Sequence, residues 1–159
     1  MRIRKGGSGD IVFTRQMLFE AFFWDPGMPR PGMEAFFKKS GLDELLEGWG
    51  RDGDCLLIAE KDRAPIGAAW YRLWTDSRHF YGYIGPDIPE LGIGVCREHR
   101  SKGTGRRLLN ALLSVARQNG FKALSLSVDP ANFARKLYET TGFKKVGESG
   151  TSWTYLLDL

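Results

Sequence analysis

Arg100-Ser101-Lys102-Gly103-Thr104-Gly105-Arg106-Arg107 is the stretch whose reading decides the fold. Before it lies Glu90-Leu91-Gly92-Ile93-Gly94-Val95-Cys96, an apolar run that reads as a strand, its glycines inviting a bulge or a close backbone approach. After it, Leu108, Leu109, Leu112, Leu113 and Ala116 recur on one face of a helix that Gly120 ends. A helix start offers unpaired N–H groups and a partial positive charge. Gly103 and Gly105 let the backbone curl close to a ligand, and the neighbouring cations add attraction, so the turn suits a phosphate or pyrophosphate. A tight strand–helix turn without a ligand would use the same glycines. The P-loop spacing is absent. A dinucleotide fingerprint fails too: Leu108 stands where its third glycine belongs, and no acid follows about twenty residues on.

Toward the N-terminus, Arg2–Arg4 reads as a short edge strand. Val12, Phe13, Met17, Leu18, Ala21 and Phe22 read as a helix from Asp10, broken by Pro26, Pro29 and Pro31. Two short helical stretches follow near Met33–Lys39 and Leu42–Gly48. Cys55–Glu60 and Ile66–Trp74 form a hairpin about a turn at Asp62-Arg63-Ala64-Pro65. Thr75–Pro89 is ambiguous, strand-like at Tyr81 and Tyr83 but interrupted by glycine and proline. Toward the C-terminus come a strand at Ala123–Val128, a helix from Asp129-Pro130 to about Thr141, and strands at Phe143–Val146 and Ser152–Leu157. That order predicts a mixed α/β or α+β sheet in one domain over 1–159, with no repeat or linker.

Composition narrows the function. The 159 residues are 42% apolar and 26% charged, ordinary for a globular chain, so wholesale disorder is excluded. No apolar run suits a membrane helix and no signal segment opens the chain, which predicts a cytoplasmic protein with no membrane partner. Two cysteines and two histidines do not make a disulfide framework or a zinc site, so no metal is expected. Residues 1–79 balance 12 basic against 12 acidic side chains, while residues 80–159 carry 11 against 7, placing the whole +4 charge in the C-terminal half. Arg97, Arg100, Lys102, Arg106 and Arg107 hold much of it. Such a cluster suggests an anionic partner, either a phosphorylated cofactor or a nucleic acid bound by residues 97–107, though a solvated basic helix start would look the same.

The residues decide between these by resemblance. Arg100–Gly105 resembles the Gln/Arg-x-x-Gly-x-Gly/Ala signature of the GCN5-related N-acetyltransferases, the GNAT superfamily. Asn132-Phe133-Ala134-Arg135-Lys136-Leu137-Tyr138-Glu139-Thr140-Thr141-Gly142-Phe143 resembles its second motif, with one residue fewer between Asn and Ala. The likeness spans roughly 54–157 and implies a mixed, mostly antiparallel sheet of about seven strands flanked by about four helices, with the acetyl-CoA-binding core at about 90–145. It implies acetyl-CoA as co-substrate and direct transfer to a primary amine. A non-catalytic coenzyme A sensor on the same fold is the further alternative, and a homodimer the assembly considered. By the resemblance, Arg100, Ser101, Lys102, Gly103, Thr104, Gly105 and Arg106 hold the pyrophosphate, with Arg107 the other arginine within reach. Ile93, Gly94 and Val95 pair with the pantetheine arm along a bulge, the Val95 N–H being the oxyanion donor. Asn132 contacts the pantetheine or acetyl group, or else caps its helix. Tyr138 is the general acid, its competing role a core aromatic; Glu90 is the base, its competing role a solvated strand end. Cys96 is a small strand residue. The acceptor is left to N-terminal aromatics such as Trp24, Trp49, Trp70, Trp74, Tyr81 and Tyr83, with Asp76 and Asp87 near an ammonium group.

Overall fold

Strands β2 (Cys55–Lys61) and β3 (Ala64–Arg72) form the hairpin at the heart of the chain. Asp62 and Arg63 alone make the turn, both at positive φ (52° and 65°), the two-residue geometry whose twist suits a hairpin. Ala64 and Pro65, expected in the turn, lie in β3. The computed structural model describes residues 1–159. The other elements are β1 (Arg2–Lys5), α1 (Ile11–Phe22), α2 (Met33–Ser40), β4 (Glu90–Val95), α3 (Thr104–Gln118), β5 (Ala123–Val128), α4 (Ala134–Thr141), β6 (Lys144–Ser149) and β7 (Ser152–Asp158).

The seven strands form one sheet in the order β1-β2-β3-β4-β5-β7-β6, antiparallel except where β4 meets β5. Helices cover both faces. Leu108, Leu109, Leu112, Leu113 and Ala116 of α3 pack with Leu57, Ala69, Leu124, Leu126 and Tyr155 on one side. On the other, Met17, Leu18 and Phe19 of α1 and Phe37 of α2 pack on Leu56, Ile58, Ala68 and Trp70. The expected seven-stranded, four-helix architecture is the observed one.

Three local expectations change. The stretch after α2 is a 3-10 turn at Leu42–Leu46, not a helix to Gly48. Helix α4 begins at Ala134: Asp129 Oδ1 accepts from Ala131 N–H and Asn132 Oδ1 from Ala134 N–H, both at about 2.8–2.9 Å, so the segment spends its side chains on turns first. Thr75–Pro89 forms no strand, only an isolated Thr75–Arg78 bridge.

Candidate functional site

The site is built where the sheet parts. β4 and β5 run parallel but share one register pair, Glu90 with Ser125, beside a Ser125 N–H to Pro89 O bond of 3.0 Å. Beyond it they diverge, so backbone groups along Ile93–Val95 have no strand on that side. Cys96 N–H donates to Ile66 O of the β3 side at 2.9 Å. Strand alternation then turns the N–H groups of Ile93 and Val95 away from β3, into the gap. The expected bulge is not there: β3–β4 register is continuous from Glu90 to Val95. Gly94 has another cause. A Cβ on it would stand 2.1 Å from Met17 O, so α1 lies backbone-to-backbone against β4.

The turn into α3 lies at the open end of this gap. Ser101 (φ 57°) and Gly103 (φ 83°) both take left-handed conformations, which point successive amides to one side. From Ser101 to Arg106 no backbone N–H has an acceptor within the protein; the first that does is Arg107, bonded to Gly103 O at 3.1 Å. A helix start alone leaves about four such donors. Six successive free donors at a helix N-terminus form a ready anion site, and they fit a pyrophosphate. A Cβ on Gly105 would come within 3.7 Å of Leu137 Cδ2 and 4.0 Å of Val95 Cγ2, which places α3's start, β4's end and α4 around one point.

The Arg100 side chain is engaged within the protein. Its N–H is bonded to Arg97 O at 3.3 Å. Its guanidinium turns inward to Val95 O (3.1 Å), Trp24 O (3.2 Å), Glu20 O (3.0 Å) and Glu20 Oε2 (2.8 Å). It fastens the end of α1 to the end of β4, and partial burial lowers its pKa, the Glu20 charge opposing. Lys102 Nζ donates to Glu98 O at 2.8 Å, Arg107 donates to Met1 O, and Arg106 is exposed. The basic cluster therefore offers a nucleic acid fewer free charges than its composition suggests.

Tyr138 of α4 is buried, edge-on to Phe143 at 5.8 Å, and its hydroxyl has no protein partner. Burial pushes its pKa up to about 12, which keeps the proton on oxygen at neutral pH. Asn132 Oδ1 accepts from Ala134 N–H in the turn that leads into α4, its carbonyl oxygen thereby engaged. Glu90 is no solvated strand end. Its Oε1 accepts from Gly82 N–H at 3.0 Å and its Oε2 is buried. Desolvation raises its pKa to about 7, Gly82 and His79 pulling the other way. Cys96, after β4, meets Met17 Sδ at 3.9 Å; burial raises its pKa, so it is a packed thiol.

Of the aromatics, Trp70, Tyr71 and Trp74 are core, and Trp49 lies 4.9 Å from the Arg72 guanidinium. Trp24 stands edge-on to exposed Phe133 at 5.8 Å. Tyr81 and Tyr83 do border space: a cavity of about 360 Å³ between segment 79–84 and the β6–β7 hairpin, lined also by Ile84, Glu148 and Thr154. A neighbouring cavity of about 400 Å³ shares His79, Phe80, Tyr81 and Ser149 and reaches Glu44 past the end of α2. Asp76 bonds the Tyr83 hydroxyl. Sequence reading did not find Glu20, Ser125, His79 or the β6–β7 lining, since none carries a local pattern.

The model of the acetyltransferase (GNAT) family matches residues 15–143. The probable N-acetyltransferase camello of Xenopus laevis is 32% identical over 95 residues, covering 59% of this chain and 40% of that protein. The chain spans less than half the length of such curated relatives. Among solved structures, the PaiA N-acetyltransferase of Thermoplasma acidophilum in complex with coenzyme A has a TM-score of 0.74 at 18% identity, covering 99% and 98% of the two chains. The ribosomal-protein-alanine N-acetyltransferase of Brucella melitensis gives 0.69 at 21%, with 100% of both chains covered. A family match over most of its length, on the fold those structures share, means that this chain belongs to the GNAT acetyltransferase family.

Proposed function

We propose that the chain is an acetyl-CoA-dependent N-acetyltransferase acting directly on a primary amine. The observation that carries this reading is the run of six acceptor-less N–H groups, Ser101–Arg106, opening beside the gap between β4 and β5. When bound, acetyl-CoA supplies the acetyl group as an activated thioester. The chain's own groups do the rest. The 101–106 amides bind the pyrophosphate, and the unpaired edge of β4 at Ile93–Val95 aligns the pantetheine arm. The Val95 N–H meets the carbonyl oxygen, where negative charge grows during attack. Ionised Glu90 takes the proton that an ammonium acceptor must lose. Tyr138, held protonated, gives its proton to the departing sulfur. The cavities at 79–84 and β6–β7 receive the acceptor. Two free cysteines, Cys55 and Cys96, support work in a reducing cytoplasm.

Equilibrium binding of coenzyme A tests the reading. Gly103→Asp sets a carboxylate among the amides at a φ of 83° and is expected to weaken binding at least about 100-fold, with the fold intact by circular dichroism. Binding unaffected by that change overturns the assignment. Thiol release across a panel of amines then identifies the acceptor, and its absence with every amine favours the sensor alternative.

A further inference from the structure

Glu90 Oε2 and Ser125 Oγ are both shut off from solvent and without a hydrogen-bonding partner. These residues are also the single register pair that joins β4 to β5. Paired positions on adjacent strands carry their side chains on the same face, about 5 Å apart at the backbone. Native proteins rarely leave buried polar atoms unpaired without a reason, and two at one spot share a reason.

The other charges nearby are accounted for. Arg72, opposite Glu90 on β3, is bound to Asp54 and to the carbonyls of Leu45, Glu47 and Gly48. His79 faces Glu90 from the 75–89 segment as the one charge acting on it, and Gly82 N–H holds the opposite carboxylate oxygen. β5 offers no charge here, only Ser125. A hydroxyl differs from an amide N–H in that it both donates and accepts. It can therefore satisfy a carboxylate and a carboxylic acid in turn, which suits a group that must cycle between them.

We propose that Ser125 is a positioning residue for Glu90: the two side chains are not bonded directly, and through one bridging water the hydroxyl donates toward Oε2 when the carboxylate is ionised and accepts from it once a proton has arrived. The proposal rests on the reading of Glu90 as the base. The transfer balances: the acceptor's N–H bond breaks, its electron pair stays on nitrogen, and the proton forms an O–H bond to Glu90. That O–H donates toward Ser125 Oγ through the bridging water, while the serine keeps its own proton.

The test is a carbonyl-detected NMR titration of side-chain ¹³Cδ-labelled glutamate in the full chain, which needs no acceptor. Glu90→Gln assigns the resonance. In Ser125→Ala the Glu90 midpoint is expected to rise by about one unit, because a donor to the charged form is gone. An unchanged midpoint overturns the proposal. A double-mutant cycle of Glu90→Gln and Ser125→Ala on the urea midpoint is the second arm: coupling supports the pair, and strict additivity overturns it. If the midpoint moves while the acetylation pH profile ignores Glu90→Gln, the pairing stands and the base assignment falls.

Discussion

At the scale of single residues, the proposed mechanism asks Tyr138 to give a proton and Glu90 to take one. Tyr138 and Glu90 are both buried, and burial disfavours the charged form of each. The tyrosine thereby keeps its proton at neutral pH, while the glutamate is brought into the range where it titrates near neutrality. Tyr138→Phe is expected to lower turnover about 100-fold with coenzyme A affinity changed less than about threefold, read by thiol release and by equilibrium binding. Equal turnover would return Tyr138 to packing alone. For Glu90 the rate should climb as pH rises through about 7, because the ionised form accepts the proton, and Glu90→Gln should remove that limb. Stability runs the other way. Its folded pKa lies above the unfolded value near 4.5, so the folded state holds the extra proton between those limits. This contribution is full below about 4.5 and is lost as pH rises toward 7; urea midpoints of the parent should carry this fall and those of Glu90→Gln should lack it.

At the scale of elements, α1 is held on β4 by two devices: the bare backbone of Gly94 against Met17 and the Arg100 clamp on Glu20 and Trp24. Gly94→Ala places a methyl 2.1 Å from a carbonyl oxygen, with backbone rather than a flexible side chain in its way. The helix must lift, and urea unfolding should show a loss of about 2–4 kcal/mol. The 100–105 turn and the helix after it were legible in sequence because a strand, glycines at two set positions and a leucine face are local signals. The hairpin, the edge strands and the second motif were legible for the same reason. The Arg100 clamp was not legible, because its partner Glu20 lies 80 residues away and no spacing rule connects them. Ser125 escaped notice likewise: a serine in an apolar strand is unremarkable until the fold sets it beside Glu90. Gly94 admitted a bulge or close packing on paper, and only the position of α1 decides between them.

At the scale of the whole molecule, the β2–β3 hairpin is anchored to the 45–54 segment by Arg72, 1% exposed, bonded to Asp54 at 2.8 Å through both Nε and Nη2. Arg72→Met removes the ion-pair partner of buried Asp54 and leaves three carbonyls without their donor. The expected cost is about 3–5 kcal/mol, a fall of roughly 10 °C in the thermal midpoint by calorimetry. The lone β4–β5 register pair reaches further than catalysis. Strands β1–β4 and β5–β7 are two leaves whose inner edges share one register pair, and by the proposed function a pantetheine arm in the cleft would lie along both edges like an added strand. Without coenzyme A, amide hydrogen exchange should find the inner edges of β4 and β5 opening at a lower free energy than the outer pairs. Saturating coenzyme A should slow exchange on both margins together, so that occupancy is felt as mechanical continuity across the sheet.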